Sequence, residues 1–404
     1  MSGPKETALP AAWANAVGEK LATRDAGAQR RHLVPVPPGA PGTGGARGAG
    51  GMRLFSSNDY LGLAGHPAVR EAVAEAAREH GMGPRGAALV CGHTTLHETL
   101  AMRLAALEGT EAALLAPTGW AANTALLGAL ADADVTFVSD ALNHASIIDG
   151  LRMARRTGAA VRVTPHGDAA AVEAALAERD TPRAVVVTDG VFSMDGDVAP
   201  LAALREAADA HGAILVVDEA HGTLVLGETG AGACEAAGVR ADVVVGTLSK
   251  AVGAMGGFVA GNRTLCDLVL NLGRAQIYST ALPVPVVAGA LAALDVAART
   301  PALRERLRAH QARFAEALGR PVPTPIVPWV LGDEDAAMGA AASLRAAGMH
   351  VVAIRPPTVP EGTSRLRITL SAVHTDADVE DLLTALGQGS TGDDGGHWSA
   401  IPRL

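Results

Sequence analysis

Lysine is almost missing from this chain. It occurs only at Lys5, Lys20 and Lys250, against thirty arginines in a Lys+Arg total of 33. The one lysine beyond residue 20 sits in the small-residue run Gly246-Thr247-Leu248-Ser249-Lys250-Ala251-Val252-Gly253. Arginine cannot replace an amine that must lose its proton and attack carbon. Guanidinium stays charged to a pKa above about 12, whereas the amine starts near about 10.4 and falls on desolvation. A lysine that captures a carbonyl carbon as a Schiff base is one reading of Lys250. A stray surface residue in an Arg-biased composition is the other, and the count alone does not separate them.

Other absences exclude whole classes. Cys91, Cys234 and Cys266 are odd in number and far apart, with no CxxC or CxxH pair. That argues against zinc or any other metal site, and against a disulfide framework; a reducing cytoplasm fits. The net charge of −9 disfavours nucleic acid as the main partner, because phosphate neutralisation needs a basic face. It does not exclude a local anion site. No apolar run reaches the roughly 20 residues of a membrane span. The first 21 residues contain acidic groups and no apolar core of the secretory-signal kind.

What remains is a globular composition, 49% hydrophobic and 19% charged, in 404 residues, long enough for two domains. Residues 1–53 read as an N-terminal arm, with a helical stretch around Ala11–Leu21, the basic pair Arg30-Arg31 and a Pro/Gly-rich segment. Residues 54–285 read as a large domain in which strand-like runs alternate with Ala-rich helical ones. Its candidate strands are Ala112–Ala116, Val135–Val138, Val161–Val163, Ala184–Thr188, Ile214–Asp218, Val243–Gly246 and Gly257–Ala260. Short β-branched runs without alternation indicate strands buried on both faces of a mainly parallel sheet. Pro283 and Pro285 mark a break, followed by helices over Val286–Ala298 and Ala302–Leu318. Residues 286–386 read as a smaller C-terminal α/β domain, and 387–404, rich in Gly and Asp, as a disordered tail.

In an open parallel sheet, ligands collect at the carboxyl ends of the strands. Three candidate ends carry useful groups. One run ends in Asp218-Glu219-Ala220-His221 and another in Thr247-Leu248-Ser249-Lys250. A third leads through Pro117-Thr118-Gly119-Trp120 into a helix whose first N–H groups would make an anion site. An amine, a carboxylate, an imidazole and a phosphate cradle on one sheet edge describe a pyridoxal phosphate pocket. Each piece has a plainer account. Asp-Glu-Ala-His also spells a helicase box, but no GxxxxGK[ST] accompanies it. Nor does any GxGxxG stand between a strand and a helix, as a nucleotide-binding oxidoreductase requires. A strand-end Asp is commonly a turn residue, Gly119-Trp120 an ordinary turn, and His144 a helix-entry histidine. It is their convergence that favours chemistry.

From Asn58 to Leu386 the chain resembles the α-oxoamine synthases, pyridoxal phosphate enzymes of the aspartate-aminotransferase fold (fold type I). The resemblance rests on Asn58-Asp59-Tyr60-Leu61-Gly62-Leu63, Asn143-His144-Ala145-Ser146, Gly190-Val191-Phe192-Ser193-Met194-Asp195-Gly196-Asp197, Asp218-Glu219-Ala220-His221-Gly222-Thr223, the Thr247–Gly253 loop and Ile277-Tyr278-Ser279-Thr280. Both tyrosines of the chain fall in these segments. The string Ala353-Ile354-Arg355-Pro356-Pro357-Thr358-Val359-Pro360, with Arg365-Leu366-Arg367 following, points to the branch that condenses L-alanine with a pimeloyl thioester.

The resemblance implies roles. Lys250 would hold the cofactor and then take the α-proton of the amino acid. Asp218 would pair with the ring nitrogen, His221 would bond the ring hydroxyl oxygen, and His144 would stack on the ring. Gly119, Trp120 and Thr247 would hold the phosphate, and Ser193 would line the cofactor. Thr280 would reach the neighbouring subunit's phosphate, which requires a homodimer. Arg355 would bind the substrate carboxylate with Thr358 nearby. Arg31 would meet a substrate carboxylate, with Arg30 an almost equal candidate. The acyl donor is either pimeloyl-CoA or a pimeloyl carrier protein. The alternatives are a sibling that uses glycine or another acyl-CoA, and a non-catalytic partner subunit, whose mark would be loss of the lysine. Four positions depart from the family pattern: Ala87-Ala88 for Ser-Arg, Ala101 for Glu, Leu224 for Gly and Ala231 for Arg. They bear most on the acyl entrance and dimer contacts.

Overall fold

Valine-rich runs build the centre of this computed structural model, which describes residues 9–26, 30, 31, 33, 35, 36 and 51–388. The seven strands of the large sheet are β1 (Ala112–Ala116), β2 (Val135–Asp140), β3 (Ala160–Thr164), β4 (Arg183–Asp189), β5 (Ile214–Asp218), β6 (Val243–Thr247) and β7 (Gly257–Gly261). Their spatial order is β1-β7-β6-β5-β4-β2-β3. Only β7 runs against the rest, antiparallel to both β1 and β6; the other pairings are parallel.

The valine pattern explains why the sheet has helices on both faces. Along β4 and β5, Val186, Leu215 and Val217 enter one apolar cluster with Leu201, Leu204, Val287 and Leu294 from helices. Their neighbours Val185, Val187 and Val216 point the other way, onto Leu126, Leu127, Ile147 and Leu151. Side chains alternate across the sheet, so both sets are apolar because both faces are covered. Each such side chain contributes roughly 1.5–3 kcal/mol on burial.

A second, three-stranded antiparallel sheet follows: β8 (Ile326–Gly332), β9 (Val352–Ile354) and β10 (Ser364–Thr369), in the order β9-β10-β8. The segment just before the Asn58–Leu63 motif is tied to this C-terminal region. Arg53 and Leu54 pair with Met349 and His350, and the N–H groups of Thr369 and Ala372 donate to the carbonyls of Phe55 and Tyr60 at 2.7 and 2.8 Å.

Some expected boundaries shift. The helix expected from Val286 begins at Val284, with Pro285 in its first turn, where the missing N–H costs nothing. The N-terminal helix extends to Ala26. The last helix, Asp376–Gln388, runs past Gly387, so the expected disordered tail does not begin there; residues 389–404 lie outside the described residues. Among the described residues no single helix is long and apolar enough to cross a membrane. The two that pass that test together, Val284–Arg299 and Ala302–Leu318, are bent by 73° at their break.

Candidate active site

The carboxyl ends of β4, β5 and β6 converge with two helix starts on a cavity of about 230 Å³. The register fixes this convergence, because Asp189, the last residue of β4, lies directly opposite Asp218, the last of β5. Asp218 Oδ1 accepts from the Ala220 N–H at 2.8 Å, and Oδ2 accepts from Asn123 Nδ2 at 2.7 Å. The same amide donates to Ser146 Oγ at 2.9 Å, which lies 2.8 Å from His144 Nδ1. A chain of hydrogen bonds therefore joins the carboxylate to the imidazole across the cavity floor. Asp189 supports the other side, accepting from the His144 N–H at 2.9 Å.

Lys250 follows β6 and faces these carboxylates. Desolvation brings its pKa down to about 8, against the opposing pull of Asp218 and Asp189. An amine poised there is a far better nucleophile at neutral pH than an exposed lysine. Burial also pushes His221 well below the ordinary imidazole range, helped by the charges of Lys250 and Arg367, so His221 is neutral. For Asp189, burial and then the charge of Asp218 push the carboxyl well above its usual range. Two carboxyls at the ends of adjacent strands do not both ionise easily.

The opposite end of the cavity is built for an anion. Thr118 caps the helix Gly119–Leu130, its hydroxyl accepting from the Ala121 N–H at 3.0 Å. The helix start thus presents its free N–H groups beside the Thr247 and Ser249 hydroxyls, which are 2.8 Å apart. Glycine is demanded most strictly at Gly257, where a Cβ would lie 2.5 Å from the Gly119 nitrogen; at Gly119 a Cβ would sit a tight 3.2 Å from Thr247 Cβ. The ring of Trp120 stands edge-on to His144, centroids 6.0 Å apart.

Of the residues read from sequence, Lys250, Asp218, His221, His144, Gly119, Trp120, Ser193 and Thr247 all line this one cavity. Thr280 does not. It lines a second, apolar cavity of about 380 Å³ together with Ala88 and Ala101, two of the departures from the family pattern, while Ala87 pairs with Thr280 by an isolated bridge. Arg355 lies 3.5 Å from Glu334, and Thr358, whose N–H donates to the Arg355 carbonyl at 3.1 Å, is exposed; neither lines the cavity. Arg31 is exposed, and Arg30 is paired with Asp25 at 2.8 Å. The Leu224 departure has a visible cost: its φ of 64° is left-handed, about 1–2 kcal/mol for a residue with a Cβ. Its side chain is buried, and that burial, roughly 1.5–3 kcal/mol, offsets the strain.

Sequence reasoning missed Asn123, Ser146, Asp189, Tyr60 and Arg367 as site residues. Asn123 carried a signal, being a polar residue in an otherwise apolar helix. Asp189 carried one too, ending a valine run as Asp218 does. Arg367 carried none: it comes from β10 and is recognised only because its guanidinium meets the Ser193 carbonyl and, at 3.2 Å, Asn58 Oδ1. Its neighbour Arg365 is ion-paired with Asp195, so two arginines of one strand hold the loop that bears Ser193.

Pyridoxal phosphate demands an amine for its aldehyde, a carboxylate for its ring nitrogen, a polar partner for its hydroxyl, a flat group for its ring and donors for its phosphate. Lys250, Asp218, His221, His144 and the Thr118–Trp120 turn with Thr247 and Ser249 supply that set around one cavity. The residues fit the cofactor.

Comparison with known proteins agrees. The profile of the family described as aminotransferase class I and II matches residues 51–386. The chain is 48% identical over 380 residues to an 8-amino-7-oxononanoate synthase of Anaeromyxobacter dehalogenans (strain 2CP-1), covering 92% of this chain and 94% of that one. It is 46% identical to one from Arabidopsis thaliana over 83% of this chain and 74% of that one. Among solved structures, Sphingomonas wittichii serine palmitoyltransferase superposes with a TM-score of 0.86 at 29% identity, covering 95% of this chain and 98% of that one. The chain therefore belongs to the class I and II aminotransferase family and, within it, to the 8-amino-7-oxononanoate synthases.

Proposed function

We propose that the chain binds pyridoxal phosphate and catalyses the decarboxylative condensation of L-alanine with a pimeloyl thioester, giving 8-amino-7-oxononanoate, CO2 and the free thiol. The observation that carries this reading is the meeting of Lys250, Asp218 and His221 in one cavity with an anion-binding helix start. When bound, pyridoxal phosphate supplies an electron sink for the pair left at the amino-acid α-carbon. Lys250 would hold the cofactor through its amine and, once freed by the incoming alanine, would take the α-proton. Asp218, held by Asn123 and the Ala220 N–H, keeps a positive ring nitrogen paired. The helix start, Thr247 and Ser249 hold the phosphate, Ser193 lines the cofactor, and His144 covers the ring. Arg355 holds the alanine carboxylate by a two-pronged contact with Thr358 close by, and Arg31, or its neighbour Arg30, meets a substrate carboxylate. The α-carbon attacks the thioester carbonyl, the thiol leaves, the alanine carboxylate departs as CO2, and a proton returns to the α-carbon before the product amine is released.

The active unit is a homodimer in which Thr280 completes the neighbouring pocket. This is supported by the position of Thr280 outside its own subunit's cavity and by exposed side chains around it: Tyr278, two residues before it, and Leu89 and Val90, which follow the Ala87 that bridges to Thr280. The three free cysteines suit a reducing cytoplasm.

The similarity to serine palmitoyltransferase favours one second reading, a sibling that condenses another amino acid with another acyl-CoA. A panel of L-alanine, glycine and L-serine against pimeloyl-CoA, pimeloyl carrier protein and acetyl-CoA separates the two. CO2 release confined to alanine with a pimeloyl donor is expected. Preference for glycine or serine with a different acyl group would overturn the assignment.

A further inference from the structure

Tyr60 has no part in the scheme above, yet it is fully buried and its hydroxyl lies 2.6 Å from His221 Nδ1. A second acceptor, Asn58 Oδ1, stands 3.3 Å away. That oxygen already receives the Arg367 guanidinium at 3.2 Å, whose charge also acts on the Tyr60 phenol. Guanidinium has no acceptor, so the phenol proton must go to Asn58 or to His221. The shorter distance and the crowding of Asn58 direct it to His221 Nδ1. Burial, first of all, pushes the Tyr60 pKa up to about 12, so the phenol keeps that proton at neutral pH.

A neutral imidazole has one N–H. If Nδ1 accepts from Tyr60, the proton sits on Nε2. Tyr60 does not line the cavity whereas His221 does, so the Nδ1 edge faces away from it and the Nε2 edge toward it. We propose that Tyr60 is a positioning residue that fixes the tautomer of His221, making it a hydrogen-bond donor into the cavity rather than an acceptor. The proposal rests on the reading that this cavity binds pyridoxal phosphate, whose ring hydroxyl oxygen would be the acceptor. A donor there favours the deprotonated oxygen; an acceptor would favour the protonated one. The charged and titratable groups around His221 are Lys250, Arg367, His144 and Asp218. None of them contacts Nδ1, so the tautomer is set from the Tyr60 side.

The test compares wild type, Tyr60→Phe, His221→Ala and the double variant of the holoenzyme by visible absorbance against pH. Tyr60→Phe keeps the ring in its buried place and removes only the hydroxyl. It should retain the visible band, with the pH midpoint of its change moved upward by about one unit. His221→Ala should move it in the same direction, and the double variant no further than His221→Ala alone. Additive shifts, or an unmoved midpoint in Tyr60→Phe with the band intact, would overturn the proposal. A wild-type protein without any visible band after loading would instead remove the cofactor reading. Nitrogen-15 histidine spectra of the wild-type protein decide the tautomer in either case, with His221 assigned by its loss in His221→Ala. Protonated Nε2 with bare Nδ1 is expected, and the reverse contradicts the inference.

Discussion

The strand-end half of the proposed site and its loop-borne half are built differently. Asp218, Asp189 and Lys250 end or follow adjacent strands, and sheet register brings them together within a single chain. Arg31, Arg355, Thr358 and Thr280 sit on an arm, loops and a segment facing another cavity, and none lines the Lys250 pocket. The contrast teaches that backbone pairing gathers the groups proposed to hold the cofactor, whereas the residues proposed to recognise substrate lie outside that pocket in a single chain.

Breaking the strand-end half should cost most. Asp218→Asn removes the charge proposed to pair with the ring nitrogen and leaves Asn123 facing another amide. We expect kcat/KM for alanine to fall by roughly 10³-fold, the scale of losing one oriented electrostatic partner in a closed site, with the fold intact by circular dichroism. A loss below tenfold would show that the strand ends are not the centre of the chemistry. Arg355→Ala probes the other half. It should raise the alanine KM by about 10- to 100-fold, the worth of a charge-assisted contact, while the visible cofactor band is retained. An equal fall in kcat with KM unchanged would move Arg355 from substrate binding into the chemical step.

Much of this division was readable beforehand, for a physical reason. Strands buried on both faces must be unbroken runs of Val, Leu or Ile, so β5 stood out over Ile214–Asp218 with its correct ends. β4 was read one residue short at each end, and the residue missed at its carboxyl end was Asp189; a polar strand end looks like the start of a loop unless the register is known. The helix Gly119–Leu130 was legible from its turn, but the reach of Asn123 to Asp218 depends on its packing against the sheet. Arg367 was quoted within a motif without a role, because nothing local tells a sequence that β10 lies behind the Ser193 loop. Local periodicity predicts elements; it does not predict which loops meet.

The smallest expected effect concerns that same loop. His166 Nδ1 lies 3.1 Å from Asp140 and its Nε2 lies 2.9 Å from Asp197, pinning the Gly190–Asp197 segment to the end of β2. Burial alone would lower the His166 pKa, but the hydrogen bond and charge of Asp140, and then of Asp197, raise it above the ordinary imidazole value. A histidine whose folded pKa is raised contributes stability that is fully present below the unfolded value, near about 6.5, and is lost as pH rises through the folded one. His166→Gln should therefore destabilise the protein slightly at pH 6, by less than about 1 kcal/mol, and less still at pH 9. Thermal unfolding at the two pH values checks this, and a larger deficit at pH 9 would contradict it.

The account stands on Lys250. The purified, cofactor-loaded protein should show a visible absorbance band arising from the covalent link to that amine, and Lys250→Ala should lose it while the fold persists. The same band surviving in Lys250→Ala would contradict the central claim.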